Sequence, residues 1–262
     1  ATDGNGVHFL SHKDRKVVRR FFHDVNDKEG IRSNSIYSLL VDDRGAVWIG
    51  HFQAGLDYSL YQNGLFRTYA YPPQFNSANL SIRSFVNRGP EKVIGSRDGL
   101  FYINEATGIV KSFVKPVLTS DLILTICFYE GEYYIGTYGG GMMVLNPQTL
   151  SLKYFTQGDT ELFQKGHIFC VKPDNRGNLW IGTSQGLFCY NGQTKQIKNF
   201  TSTNSQLPEG NVYEVSFDST GKGWIATETG MCIYDPASQS LRSNVFPEGF
   251  VHKDKVRTIY ED

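Results

Sequence analysis

The chain has 262 residues, 14% of them aromatic, and 27 glycines, enough for one large core built from short strands and tight turns. Lys plus Arg total 26 and Asp plus Glu total 26, so no net field draws it to nucleic acid or to an anionic membrane. No apolar run approaches the roughly 20 residues of a membrane-spanning helix.

In chain order, the first elements are fragments of a unit that later recurs. Ala1-Thr2 and Gly6-Val7 match Ala226-Thr227 and Gly230-Met231, so the chain is expected to open at the end of a strand. Val7 to Leu10 and Val17 to Phe22 are expected to be the next two strands. Residue 1 thus falls in mid-motif, which leaves room for a leader removed upstream.

A motif of one aromatic or aliphatic residue, Ile and a small residue then repeats. Its copies are Trp48-Ile49-Gly50, Val93-Ile94-Gly95, Tyr134-Ile135-Gly136, Trp180-Ile181-Gly182 and Trp224-Ile225-Ala226. The isoleucines lie 45, 41, 46 and 44 residues apart, the length of one four-stranded propeller blade. The fourth copy shows the unit best. Ile168 to Val171 is an apolar strand A, Asp174 to Asn178 a turn, Leu179 to Thr183 strand B, Leu187 to Tyr190 strand C and Gln196 to Phe200 strand D.

The other copies align, with strand A at Ile36 to Val41, Ile82 to Val86, Ile123 to Tyr129 and Val212 to Phe217. Acidic turns such as Asp42-Asp43 lack the alternating oxygen ligands of a calcium loop and are read as backbone-bonding turns. Strand D alternates and carries Arg67, Lys111, Lys153 or Lys198 at one phase, as expected for an exposed edge that resists pairing. Val256 to Asp262 reads as a further strand A and its turn.

The expected architecture is therefore all-β: a β-propeller of four-stranded antiparallel blades, five of them complete, with partial blades at both ends. The boundaries are 1–30 (partial), 31–77, 78–118, 119–163, 164–207, 208–249 and 250–262 (start of the next). The expectation is a segment of a longer array whose ring has seven blades, six being the alternative. Cys127, Cys170, Cys189 and Cys232 form no CxxC pair and fall in apolar strands, where they read as buried small hydrophobes.

These repeats resemble the two-component regulator propeller repeat, with its Asn-Ser strand start, Asp-x-x-Gly turn, Leu/Val-Trp-Ile-Gly-Thr strand and following Gly-Leu. Asn34-Ser35-Ile36 through Asp43-Arg44-Gly45-Ala46-Val47-Trp48-Ile49-Gly50 and Asp174 through Thr183 with Gly186-Leu187 match best. Pro208 to Val212 with Trp224 to Thr227 is a third match, although Ala226 replaces the usual Gly, and the copies with Val93 and Tyr134 depart at Trp. The resemblance implies a periplasmic, inner-membrane-anchored sensor region of a hybrid two-component histidine kinase. By the same resemblance it detects oligosaccharides from complex glycans, continues into further propeller and β-sandwich domains, and works as a homodimer. No cofactor or metal is expected, and no nucleic-acid partner.

The repeat residues are architectural: the tryptophans are expected to pack between blades. Recognition is expected from irregular loops on a rigid scaffold. The B–C loops supply His51, Phe52, Gln53, Arg97, Asp98, Tyr138, Gln185 and Glu228, a set able to stack on and hydrogen-bond a sugar. The long D–A connections, Tyr71 to Leu80, Thr156 to Gly166, Thr201 to Gly210 and Pro247 to Lys255, share that face. Phe75, Phe163 and Phe250 in them read as loop anchors or as a docking surface. A hydrolase needs converging carboxylates or a nucleophile with its base. Asp98 and Glu228 fall in blades that need not be adjacent, so the segment is read as non-enzymatic. A propeller lyase or glycan-cleaving enzyme, or an interaction scaffold, are the alternatives.

Overall fold

The computed structural model describes residues 4–11, 13–27, 30–42, 45–60, 67–68, 81–158, 160–243, 255–257 and 259. The chain forms two compact units, Ala1–Lys115 with Asp121–Ile123, and Pro116–Ser120 with Leu124–Asp262. The first unit holds a two-stranded sheet, β1 (Val7–Leu10) and β2 (Val17–Phe21), and two four-stranded sheets. These are β3 (Ile36–Val41), β4 (Ala46–His51), β5 (Leu56–Leu60), β6 (Arg67–Thr68), and β7 (Ile82–Arg88), β8 (Glu91–Ser96), β9 (Gly99–Asn104), β10 (Ile109–Phe113).

The second unit holds three sheets. They are β11 (Ile123–Tyr129), β12 (Glu132–Thr137), β13 (Met142–Leu145), β14 (Leu152–Tyr154); then, after helix α1 (Thr160–Lys165), β15 (Ile168–Pro173), β16 (Asn178–Thr183), β17 (Gly186–Asn191), β18 (Ile197–Phe200); and β19 (Val212–Phe217), β20 (Gly223–Thr227), β21 (Gly230–Asp235), β22 (Ser240–Ser243). In all five sheets consecutive strands are neighbours, giving the all-β, antiparallel-bladed propeller class read from the repeats. The strand expected to end at Ala1-Thr2 lies outside the described residues, as do Phe75 and Phe250 and the whole connection from Tyr71 to Leu80. Lys255 to Arg257 carry no strand, yet the Val256 N–H bonds the Thr227 carbonyl at the end of β20, beside which a following inner strand would run.

Turn and core are tied by one recurrent device. Asp42 accepts the Ala46 N–H at 2.9 Å and the Trp48 indole N–H at 3.0 Å. Asp174 accepts the Asn178 N–H at 2.8 Å and the Trp180 indole at 3.0 Å, and Asp218 accepts the Lys222 N–H at 3.0 Å and the Trp224 indole at 3.0 Å. Burial alone would raise the Asp218 pKa. The Thr220 hydroxyl, the Trp224 indole and two backbone N–H groups outweigh it and hold the carboxyl at about 2. In the first unit Asn87 stands at the corresponding turn of the next blade and donates to the same Asp42 oxygen at 2.9 Å.

The indoles pack as the sequence implied. Trp48 stacks on Tyr58 of its own blade and meets Phe85 of the next at 6.3 Å. Trp180 lies 5.8 Å from Phe200 of its own blade and 4.5 Å from Tyr234 of the next. The small residue after Ile has a spatial cause. A Cβ on Gly136 would sit 2.6 Å from Thr125 Cγ2 and 2.7 Å from Ile168 Cγ2, and one on Gly182 would sit 2.8 Å from the Val212 carbonyl oxygen. The next-to-last position of strand B is therefore pressed between its own inner strand and that of the next blade.

Two details depart from the sequence expectation. An apolar inner strand implies burial between neighbouring blades. That holds for β11, whereas Tyr37, Leu39 and Val41 of β3 are 39%, 42% and 65% exposed. The connection from Thr156 to Gly166 contains α1, which seats Phe163 fully buried, edge-on to Phe155 and Phe188. Phe163 is thus an anchor. Its six-residue helix is too short to register as a 3.6 period.

Cys127, Cys170 and Cys232 are buried and Cys189 half-buried, and desolvation pushes all four thiols up to about 12. At pH 8 such a thiol is ionised in about one molecule in ten thousand. A colorimetric disulfide reagent at pH 8 is expected to titrate none of the four within an hour in the folded protein and all four in guanidinium. Rapid reaction of any of them in the native state would contradict their burial.

Candidate ligand-binding site

Four inner strands begin with the same irregularity. In β3 Ile36 faces His51 and Ser38 faces Gly50, so Tyr37 has no opposite residue. Arg83 in β7, Phe169 in β15 and Tyr213 in β19 are the extra residues of identical bulges. A bulge bends the strand and re-aims the side chain it adds. The first residue of the same blade's B–C loop is fastened beside each bulge. The N–H groups of Phe52, Arg97, Ser184 and Glu228 bond the carbonyls of Ser35, Ser81, His167 and Asn211 at 3.0, 3.1, 3.2 and 2.9 Å. Loop residue and bulge residue therefore share one mouth at the same end of each blade.

In the first unit the Tyr37 ring lies 5.1 Å from Phe52, and the Arg83 guanidinium sits 5.2 Å over Tyr37. The Arg83 Nε is buried without a hydrogen-bond partner among the described residues. Gln53 adopts a left-handed φ of 55°, and its N–H reaches the Ser81 hydroxyl at 3.3 Å. Arg97 and Asp98 are exposed, Asp98 capped through its N–H by the Ser96 hydroxyl at 2.9 Å.

His51 corrects the sequence reading. It is the last residue of β4, 0% exposed, with Nε2 2.9 Å from an Asp57 oxygen that also accepts the Arg32 N–H at 2.8 Å. Ser or Thr fills the matching position of the other blades and bonds a carbonyl across the loop mouth, as Ser96, Thr183 and Thr227 do. His51 is a blade-internal strut, because the strand runs one residue further than the motif alone implies.

In the second unit the loops and bulges form an aromatic run. Tyr138, 49% exposed, stacks on His167 at 4.0 Å, His167 lies 6.2 Å from Phe169, and Phe169 meets Tyr213 at 5.2 Å. Lys255 and Arg257 sit over the Tyr213 ring at 4.8 and 5.1 Å. Glu228 closes the group. It accepts the Asn211 side-chain amide at 2.9 Å and the Tyr213 hydroxyl at 3.3 Å, and Lys255 is 3.6 Å away. The Asn211 backbone N–H, then Lys255 and Tyr213, hold the Glu228 carboxyl below its usual range. Gln185 is exposed, its N–H bonded to the Thr183 hydroxyl at 3.0 Å.

Each unit thus joins exposed π faces to amides, a guanidinium and a carboxylate. That chemistry binds a polar ligand with an apolar ring face. Among the described residues no group of three or more His, Cys, Asp or Glu side chains is arranged to hold a metal ion. Tyr37, Arg83, Phe169 and Tyr213 escaped the sequence reading because they lie in strands, and His167 because it directly precedes β15. Their signal is a large aromatic or cationic residue directly after the first aliphatic of strand A, or at its entry, where the run is otherwise apolar.

Fold and site define a β-propeller with a candidate loop-and-bulge face. Residues 30–53 and 163–185 match the two component regulator propeller model, which bears out the resemblance. The fold is shared with the extracellular domain of the putative hybrid two component system BT3049 from B. thetaiotaomicron, at 24% identity and a TM-score of 0.76 over 92% of this chain and 31% of that one. It is also shared with the extracellular domain of a second such system, BT4673 of the same organism, at 17% identity and a TM-score of 0.58 over 84% of this chain and 35% of that one. PorZ of Porphyromonas gingivalis, a bacterial surface component of the type-IX secretion system, aligns at 16% identity and a TM-score of 0.65 over 85% of this chain and 35% of that one. The chain spans about a third of the length of these structures. No curated protein sequence matches it. No helix among the described residues is long and apolar enough to cross a membrane.

Proposed function

We propose that the chain is a ligand-binding segment of the extracytoplasmic sensor of a hybrid two-component system, and that its ligand is an oligosaccharide released from a complex glycan. The observation that carries this reading is the fourfold bulge. It turns large side chains toward mouths furnished by Phe52, Gln53, Arg97 and Asp98 in the first unit and by Tyr138, Gln185 and Glu228 in the second. Ring faces there suit the C–H face of a pyranose, and the amides and charges suit its hydroxyls. The fold shared with extracellular domains of putative hybrid two component systems supports an extracytoplasmic setting, and we extend the proposal to a periplasmic segment of an inner-membrane protein that continues into further domains and works as a homodimer. In this reading the segment signals and does no chemistry; among the described residues no nucleophile is paired with a base at either mouth.

Calorimetry against a panel of oligosaccharides prepared from plant and host polysaccharides tests it. At least one is expected to bind, with affinity falling about ten-fold in Tyr138→Ala, the loss of one stacking face. Release of new reducing ends from the panel would replace the sensor by an enzyme, and failure of every panel member to bind would remove the sugar reading.

A further inference from the structure

The two units repeat one composite element. In the first, the bulge tyrosine of one blade, Tyr37, is covered by Arg83, the bulge residue of the next. In the second, the bulge tyrosine Tyr213 is covered by Arg257. Arg257 follows Val256 as Arg83 follows Ile82, so both arginines hold the same place in the repeat. The pairs are 46 and 44 residues apart, one blade each.

A guanidinium lying over a ring uses its face for the π contact and leaves the N–H groups of its edge for an in-plane acceptor. Arg83 Nε is buried and unpartnered among the described residues, and neither Arg83 nor Arg257 is paired with a carboxylate there. Glu228, which reaches Tyr213, is occupied by Asn211, Tyr213 and Lys255. Covering such a guanidinium with a neutral sugar would bury its charge against hydroxyls alone. A carboxylate or sulfate would neutralise it and accept two parallel N–H bonds.

Resting on the oligosaccharide reading above, we propose that the Tyr37–Arg83 and Tyr213–Arg257 stacks are anion-reading positions, and that the ligand is an acidic oligosaccharide bearing carboxylate or sulfate. The test is calorimetry of the whole chain with three probes: a trimer of galacturonic acid, a 6-sulfated galactotriose and unmodified galactotriose. At least one acidic trimer is expected to bind ten-fold or more tightly than the neutral one, and which of them does so distinguishes carboxylate from sulfate. Arg83→Gln with Arg257→Gln is expected to erase that preference while the melting temperature is kept. Arg83→Lys, which keeps charge without the fork, is expected to fall between. Equal binding of neutral and acidic trimers would overturn the inference and leave the oligosaccharide reading standing. An acidic preference that survives both substitutions would overturn the arginines as its readers. If none of the three binds, and none of the wider panel does, the oligosaccharide reading falls and the inference with it.

Discussion

Replacing Gly182 by valine is expected to leave the chain unable to fold cooperatively, and even Gly182→Ala is expected to lower its stability by about 3 kcal/mol. A single Cβ at 182 would stand 2.5 Å from Cys170 Sγ and 2.8 Å from the Val212 carbonyl oxygen. The sulfur can rotate away. The carbonyl belongs to the first residue of β19, so relief there demands a shift of the next blade's inner strand. The control is built into the molecule, because Ala226 holds the same repeat position in the following blade, and Ala226→Gly is expected to cost about 1 kcal/mol or less. Denaturant unfolding of Gly182→Ala, Ala226→Gly and Gly182→Ala with Cys170→Ala checks this. The double variant should recover only part of the loss, since it removes the sulfur contact and not the carbonyl. Full recovery, or a midpoint for Gly182→Ala equal to that of the unaltered chain, would show that the blades have slack at this seam.

That seam explains why so much of the fold was legible. The Trp-Ile-Gly triplet encodes three separate demands, an indole at the blade interface, an aliphatic core residue and a place with no room for Cβ, and the Asp six residues before the indole encodes the turn. Such demands are local in sequence and recur with the blade, so strand order and turn positions could be read directly. The bulges could not. Tyr37, Arg83, Phe169 and Tyr213 differ from their neighbours only in pairing register, which is a relation between two strands and leaves no spacing of its own. His51 was misplaced for the converse reason. In four blades a small hydroxyl closes the mouth of the loop, while in this one a buried imidazole and Asp57 do it, a substitution that looks like loop chemistry until the strand end is known. The B–C loops stand out in the sequence because they are irregular, and the bulge residues beside them do not because they sit in regular strands.

Trp180 carries the second large effect. Trp180→Ala is expected to cost about 4 kcal/mol, since the indole is 1% exposed and touches Phe200, Phe217 and Tyr234. Trp180→Phe separates packing from hydrogen bonding. The ring stays, and the indole N–H to Asp174 is lost. The Asp174 oxygen that accepted it keeps the Asn178 side-chain amide at 2.8 Å, so the cost attributable to the bond should be only about 1 kcal/mol. Asp174→Ala removes more, because the same carboxylate also holds the backbone N–H groups of Arg176 and Asn178. A double-mutant cycle of Trp180→Phe and Asp174→Ala by denaturant unfolding should return a coupling near that 1 kcal/mol. A coupling of zero would mean that turn and core are independent. The expected value means that the turn at one end of β16 is held by the core, while the loop at its other end presents Gln185 beside the Phe169 bulge. If the proposed oligosaccharide site is right, local disorder at the indole should weaken binding through the Gln185 loop without a ligand contact being touched. A Trp180→Phe protein that keeps its affinity while Trp180→Ala loses it would show that packing, and not the Asp174 bond, is what keeps the binding face in place.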